Sequence, residues 1–277
     1  MRNLDEASIT QAVLARNSGT TDARLCEIMT SLVQHLHAFA RDTKLTEQEW
    51  QRGMDFLAQA GQLSSADRQE FVLLSHTLGL STLVLAQNHK SPKGCTEPTT
   101  FDVSQAQNAR IFDLGADISA GLAGPKCHVR GVIHDAKGNV IPGATLQICT
   151  AGGSGADDCN PALIQANQAG EYHFWTVAPD CQPILDDGPV GQMLTLLNRH
   201  AWRPAHLQFT ISAPDYQRLT TQVFREGDPY LDSDAVFGVR SSLIAEWITR
   251  EPGQAPDGTL SRESFQTLAF DFVLTKR

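Results

Sequence analysis

The chain of 277 residues has 31 acidic and 22 basic side chains, and its formal net charge of -9 excludes the basic footprint that non-specific nucleic-acid binding requires. The same charge argues against an anionic membrane surface as a partner. The apolar fraction of 41% is ordinary for a protein with a real core. No apolar run has the length of a signal-peptide core or of a membrane span, so we expect a cytoplasmic protein.

Residues 1–88 have the apolar periodicity of helices. Thr46 and Glu49 have the spacing of a capping box, which predicts a helix start. Gly61 is expected to end that helix as its C-terminal cap. A further apolar helix is predicted from Ser64 or Ser65 onward, through Phe71, Leu74, Leu78, Leu80 and Leu83.

The pattern changes after SPKGCTEP, whose prolines and glycine are typical of a linker. KCHVRGVIHD alternates and ends in the turn signal AKGN, so it and ATLQI are predicted to be a hairpin or two neighbouring strands. β-Branched and aromatic residues predict further strands at GEYHFWTV, AHLQFTIS, TTQVF and FQTLAFDFVL. We therefore predict an α+β fold: a helical domain with its linker at 1–105 and a mostly antiparallel β-sandwich at 106–277.

The six cysteines contain no C-x-x-C pair, so their spacing does not indicate a zinc site. In a reducing cytoplasm free thiols are expected. Cys149 and Cys159 flank a glycine-rich segment and are near enough in sequence to approach each other, but a disulfide between them is the less favoured expectation.

Several long segments resemble the intradiol ring-cleavage dioxygenases, and most closely the hydroxyquinol 1,2-dioxygenases among them. In the C-terminal half these segments are GEYHFWTV, DDGPVGQML, RHAWRPAHLQFTISAPDYQRLTTQVF and GDPYLDSDAVFGVRSSLI. LTEQEWQRGMDFLAQAGQ resembles the family's helical domain, and VRGVIHDAKGNVIPGATL resembles the start of its sandwich. The resemblance covers most of residues 45–277.

The resemblance implies an Fe(III) centre held by two tyrosinates and two histidines, which activates a catechol-type substrate toward O2. Phenolate oxygen and imidazole nitrogen both suit iron. In this sequence the resemblance assigns the second tyrosine to Tyr172 and the first histidine to His206. It assigns the pocket arginine and glutamine, which stabilise negative charge on the ring, to Arg203 and Gln222.

Two of the four implied ligands are missing. The second histidine position holds Gln208, whose neutral amide is a weak donor. The chain has three tyrosines, and none lies where the resemblance places the first tyrosine ligand, in the shorter segment 149–170. Cys149 and Asp157 of that segment, together with Gln208, are predicted to contact the substrate. For Asp157, an exposed acidic loop is the simpler interpretation.

The candidate site residues also have a structural interpretation. Tyr172 and His206 are interpreted as a retained pair in one pocket, with two ordinary core residues as the alternative. His173 follows Tyr172 on a strand and so faces away from it. His128 and His134 are expected at the surface.

Three functional hypotheses remain. In the preferred one, the pocket that holds iron in the family binds a phenolic or enol-like molecule here without a metal. It performs non-oxidative chemistry with Tyr172, His206 and Arg203. In the second, the chain is still a ring-cleaving oxygenase with Fe(III) held by Tyr172, His206 and substitute ligands. In the third, it is a non-catalytic binding paralogue. Under the preferred hypothesis, Tyr172→Phe and His206→Ala impair activity and leave the fold intact.

The resemblance also implies a homodimer formed through the N-terminal helices, with a lipid-like molecule bound at its interface. The apolar stripes of these helices are compatible with that assembly, and a simple core explains them equally well.

Overall fold

A computed structural model of the chain describes residues 3–65, 68–99, 109–119, 121–150 and 161–277. Two compact units are distinguished, Met1–Gln59 and Ala60–Arg277. This division falls within a helix, well before the predicted boundary near residue 105. The helices are α1 (Ile9–Asn17), α2 (Ala23–Asp42), α3 (Glu47–Leu63), α4 (Glu70–Thr77), α5 (Leu80–Asn88) and α6 (Pro189–Leu196).

The first unit contains α1, α2 and most of α3. The capping box is confirmed: the Thr46 amide donates to Glu49 Oε2 at 2.9 Å, and the Glu49 amide donates to Thr46 Oγ1 at 3.3 Å. Gly61 does not end α3, which continues to Leu63. Helices α1 and α2 are joined by polar contacts, in which Thr10 Oγ1 lies 2.9 Å from His37 Nδ1.

The apolar helix predicted after Ser65 is two helices, α4 and α5. The break occurs at Gly79, whose φ of 72° is in the left-handed region that glycine adopts most readily. Among the described helices, none alone is long and apolar enough to cross a membrane; α4 and α5 pass that test only as a pair, bent by 78°. The buried Glu70 carboxylate of α4 accepts the Val190 amide of α6 at 3.1 Å and pairs with Arg68 at 3.2 Å.

The second unit contains the strands of two main sheets. The strands are β1 (Arg110–Ile111), β2 (Lys126–Asp135), β3 (Thr145–Thr150), β4 (Ala162–Gln165), β5 (Glu171–Val177), β6 (Gln182–Pro183), β7 (Trp202–Arg203), β8 (His206–Ser212), β9 (Leu219–Arg225), β10 (Ile244–Ala245), β11 (Trp247–Arg250), β12 (Gly253–Gln254), β13 (Leu260–Ser261), β14 (Phe265–Ala269) and β15 (Phe272–Leu274). The first sheet has the order β1-β4-β3-β8-β9-β10. The second sheet has the order β11-β14-β2-β15, with β5 also paired to β2.

The two sheets share one apolar core, as expected for a sandwich. Phe209 of the first sheet packs against Phe174 and Phe272 of the second, with ring centroids 6.4 and 4.9 Å apart. The predicted fold class is thereby confirmed. The predicted pairing of KCHVRGVIHD with ATLQI is wrong, because β2 belongs to the second sheet and β3 to the first. The turn between them carries the chain from one sheet to the other.

Candidate functional site

Strands β8 and β9 carry polar side chains on the face of the first sheet that points away from the sandwich core. Along β8, Leu207 and Phe209 are fully buried in that core. His206 and Gln208 alternate with them and therefore lie on the opposite face. Gln222 of β9 is the register partner of Gln208, and its Nε2 donates to Gln208 Oε1 at 3.5 Å.

Arg203 lies beside these residues and is held by Asp234. The Arg203 Nε donates to Asp234 Oδ1 at 3.0 Å, and Nη2 donates to Gln222 Oε1 at 3.0 Å. Asp234 also accepts the amides of Val236 and Gly238. Burial alone raises the pKa of Asp234, but the charge and hydrogen bonds of Arg203 and these amides lower that pKa below its ordinary value. We call Arg203, His206, Gln208, Gln222 and Asp234 the polar cluster.

His206 is held as a neutral imidazole. Its Nδ1 lies 2.7 Å from the Pro204 carbonyl, which only accepts, so Nδ1 carries the proton. Its Nε2 lies 3.4 Å from Arg203 Nη1. Burial, and then the nearby Arg203 charge, lower the pKa of His206 to about 4. At neutral pH the imidazole is therefore uncharged and its Nε2 faces a guanidinium.

Two further residues belong to this neighbourhood and were missed by the sequence analysis. Asp234 lies in the quoted segment GDPYLDSDAVFGVR, but nothing in that segment indicated that its carboxylate orients Arg203. His76 of α4 has a buried Nδ1 without a hydrogen-bond partner in the described residues. Burial and the charge of Arg203 lower the pKa of His76, while Asp234 raises it. His76 therefore lies within electrostatic reach of the polar cluster.

The structure does not bring Tyr172 to this site. On β5, Tyr172 and Phe174 face the sandwich core, and the Tyr172 ring is 1% exposed. Its hydroxyl donates to the Phe270 carbonyl at 2.6 Å. Burial, and then the Asp271 charge, raise the pKa of Tyr172 well above its ordinary value, so it remains a neutral phenol. The predicted pairing of Tyr172 with His206 is contradicted. Tyr172 lies in the core between the two sheets, and His206 lies on the opposite side of the first sheet.

The predicted substrate-contacting residues divide into two groups. Gln208 lies in the polar cluster, and Cys149 of β3 is its register partner, so both are on the face that carries His206. Asp157 and Cys159 lie outside the described residues. Cys149 is in a disulfide, which corrects the expectation of free thiols; the free cysteines in the described part of the chain are Cys26, Cys95, Cys127 and Cys181.

The fold and the sequence comparisons define the class of protein. The family model described as "Catechol dioxygenase N terminus" matches residues 22–96, and the model described as "Dioxygenase" matches residues 102–276. Together they cover most of the chain, which belongs to the intradiol ring-cleavage dioxygenase family.

Individual relatives are similar over nearly the whole length. The chain is 44% identical to 6-chlorohydroxyquinol 1,2-dioxygenase of Cupriavidus pinatubonensis, covering 99% of each protein. It is 38% identical to hydroxyquinol 1,2-dioxygenase of Nocardioides simplex, covering 97% of this chain and 95% of that protein. The crystal structure of hydroxyquinol 1,2-dioxygenase from Pseudomonas putida superposes with a TM-score of 0.90 at 37% identity, covering 98% of this chain and 99% of that one.

The described residues around His206 do not fit the ferric ligand set that the family implies. All three tyrosines are described, and each has contacts elsewhere: Tyr172 in the core, Tyr216 bridged to Lys276, and Tyr230 stacked on Trp202 at 5.5 Å. Of the two histidine positions, one holds Gln208, and the other holds His206, whose Nε2 is next to a guanidinium.

Proposed function

We propose that the chain binds a small hydroxylated aromatic or enol-like anion at the polar cluster and acts on it by proton transfer rather than by oxygen insertion. The observation that carries this proposal is the position of Arg203. Its guanidinium is fixed by Asp234 and lies beside both Gln222 and a neutral His206. A fixed cation next to a neutral imidazole is suited to an oxyanion that gains or loses a proton.

The relatives support the class of ligand. Those in the comparison are named for hydroxyquinol and 6-chlorohydroxyquinol, which are aromatic rings that carry adjacent hydroxyl groups. We propose hydroxyquinol-type rings as the ligands of this chain. One phenolic oxygen would bind Arg203, and a neighbouring hydroxyl would hydrogen-bond Gln222 or Gln208.

The low pKa of His206 determines when this side chain can accept a proton. Without a ligand, the Arg203 charge makes the imidazole a weak base. A bound anion offsets that charge and raises the pKa of His206 toward its ordinary range. His206 Nε2 would then accept a proton from the ligand only once the anion is in place.

The comparisons favour a second candidate, iron-dependent ring cleavage. Identity of 44% over 99% of both chains is typical of proteins that share an activity. Under this candidate, His206 and Gln208 would contribute to a substituted ligand set completed by residues 149–160. Residues 151–160 of that segment lie outside the described residues.

The test combines metal analysis with ligand binding. Untagged protein is analysed for iron and then titrated with hydroxyquinol, aerobically and anaerobically, with an oxygen electrode recording uptake. Our proposal expects saturable binding under anaerobic conditions, aerobic O2 uptake no faster than that of hydroxyquinol without protein, and turnover that is independent of added iron. Stoichiometric iron and O2 uptake that depends on it would establish ring cleavage instead. Tight binding without turnover would indicate a non-catalytic paralogue.

Two variants test whether the ligand binds at the polar cluster. Arg203→Gln removes the cation and is expected to weaken binding by roughly tenfold or more, since charge-assisted hydrogen bonds contribute about 1.5–3 kcal/mol. Arg218→Gln is the matched control, because Arg218 is exposed and lies on the turn between β8 and β9. Equal affinity in the two variants would exclude this site.

We also propose that the chain forms a homodimer through an apolar stripe on α2. Leu25, Ile28, Leu32, Leu36 and Phe39 recur at helical spacing on one face and are 46–55% exposed. Exposed patches of this kind are typical of interfaces. The lipid-like molecule that the resemblance implies stays a prediction.

A further inference from the structure

Two histidines lie close together on the outer face of the second sheet, away from the polar cluster. In β2, Cys127 and Val129 face the sandwich core, so His128 between them points outward. In β5, His173 likewise alternates with the core residues Tyr172 and Phe174. The rings of His128 and His173 have centroids 5.9 Å apart.

A carboxylate completes this group. Asp257 lies in the turn between β12 and β13, and its Oδ2 is 3.6 Å from His128 Nε2. The Trp175 indole N–H and the Thr259 hydroxyl donate to the same oxygen at 2.8 and 3.0 Å. Candidate ligand atoms of His128, His173 and Asp257 all lie within 4.8 Å of one another. We call these three residues the outer triad.

Among the described residues, the buried His128 ring has no hydrogen-bond partner. Its side chain is 1% exposed, and both of its ring nitrogens lack a partner among the described residues, as does Nδ1 of His173. Leaving such a group unsatisfied costs about 1–3 kcal/mol. The distance to Asp257 exceeds that of a hydrogen bond. His128 was expected at the surface from the sequence, and that expectation is wrong because its side chain is buried.

The surroundings hold the triad in place and leave it accessible. The ring of His173 lies against Gly115, where a Cβ would be 2.8 Å from His173 Cε1, so a larger residue there would displace the ring. Trp175 and Thr259 orient the carboxylate as outer partners of a metal ligand commonly do. A cleft of about 480 Å³, lined by all three triad residues and by Arg130 and Glu171, opens onto them.

We propose that the outer triad binds a divalent transition-metal ion, with Zn²⁺ as the expected occupant. Two imidazoles and one carboxylate are a common three-residue ligand set for such ions, with further positions left to water. Around a tetrahedral ion the ligand atoms are about 3.3 Å apart. The distance of 3.6 Å from His128 to Asp257 is close to that value, and the candidate nitrogen of His173 lies within 4.8 Å of both.

This site differs from the iron centre that the family implies. It lies on the other sheet from His206 and shares no residue with the polar cluster. An ion at the outer triad would link β2, β5 and the hairpin of β12 and β13. Its expected effect is to stabilise the second unit and to fix Asp257 over the sheet.

The test is zinc binding by untagged, chelator-treated protein. Calorimetry with ZnCl2 is expected to show saturable binding that is reduced roughly tenfold or more by His173→Ala and by Asp257→Asn, since each removes one of three ligands. Zn²⁺ should also raise the Tm of the wild-type chain by mass action. MgCl2 serves as the control ion, because hard oxygen-preferring cations do not favour imidazole.

Two variants separate this site from other metal-binding residues. His134→Ala removes an imidazole from the same strand outside the triad, and His206→Ala removes the one in the polar cluster. Both are expected to keep wild-type zinc affinity. The proposal is overturned if zinc does not bind saturably, or if Asp257→Asn and His173→Ala bind it as the wild type does. Neither result depends on the activity proposed for the polar cluster.

Discussion

Tyr172 and His173 are adjacent on β5, yet their side chains face opposite sides of the second sheet. The motif GEYHFW made Tyr172 the candidate ligand and His173 the unimportant neighbour. The structure reverses this. Tyr172 is held in the core by the Phe270 carbonyl, while His173 faces an open cleft and its Nδ1 has no partner in the part of the chain that the structure describes. Alternation along the strand was predictable from the sequence; which face is the core side was not.

Tyr172→Phe is therefore expected to affect stability and not ligand binding. The substitution removes the donor to the Phe270 carbonyl and leaves a buried acceptor unsatisfied, which costs about 1–3 kcal/mol. Urea unfolding should show this loss, with hydroxyquinol affinity unchanged. Tyr230→Phe is the control, because its ring stacks on Trp202, and it should unfold like the wild type. If Tyr172→Phe unfolded like the wild type but bound hydroxyquinol more weakly, Tyr172 would belong to the binding site after all.

At the scale of the element, FQTLAFDFVL was predicted as a single strand, but it is β14 and β15 separated at Phe270 and Asp271. Asp271 Oδ1 accepts the Val132 amide at 2.8 Å, in place of a backbone carbonyl. The Phe270 carbonyl is thereby free to accept the Tyr172 hydroxyl. Both pieces still pair in parallel with β2, so the break changes the local hydrogen bonding and not the sheet order.

Gly131 of β2 is what permits this close approach. A Cβ there would lie 1.8 Å from the Phe270 oxygen and 2.9 Å from Tyr172 Cε1. Gly131→Ala must displace β2 or the Phe270 carbonyl, and we expect a loss of roughly 3 kcal/mol, at the upper end of overpacking effects. The measurement is the midpoint of urea unfolding followed by circular dichroism.

Gly61→Ala is the matched control for that substitution. Gly61 lies in α3, and an added Cβ there would meet Phe71 at an ordinary 3.7 Å. Replacing a helical glycine by alanine stabilises by about 0.5–1 kcal/mol. A Gly131→Ala protein with the midpoint of Gly61→Ala or of the wild type would show that the contact with Phe270 is easily relaxed.

At the scale of the whole molecule, long motif matches predicted the helical part, the sandwich and the family. Those matches also predicted that Arg203, His206, Gln208 and Gln222 lie together, because strand periodicity determines which side chains share a face. The anchoring role of Asp234 was not predictable, since 31 positions separate it from Arg203, with β8 and β9 in between, and no sequence pattern joins the two. The outer triad was equally hidden, because Asp257 lies 129 positions from His128 and no short motif joins them.

The apolar stripe on α2 is the feature that concerns assembly. Light scattering coupled to size-exclusion chromatography is expected to give twice the chain mass of 30.2 kDa. Leu32→Glu combined with Leu36→Glu should give a monomer with unchanged helical circular dichroism, since two charges are then placed in an otherwise apolar interface. Gln34→Glu is the control, because Gln34 is exposed on the opposite face of α2 and should leave the dimer intact. A wild-type chain that is monomeric at micromolar concentration, or a double variant that remains dimeric, would show that this stripe does not form the dimer interface.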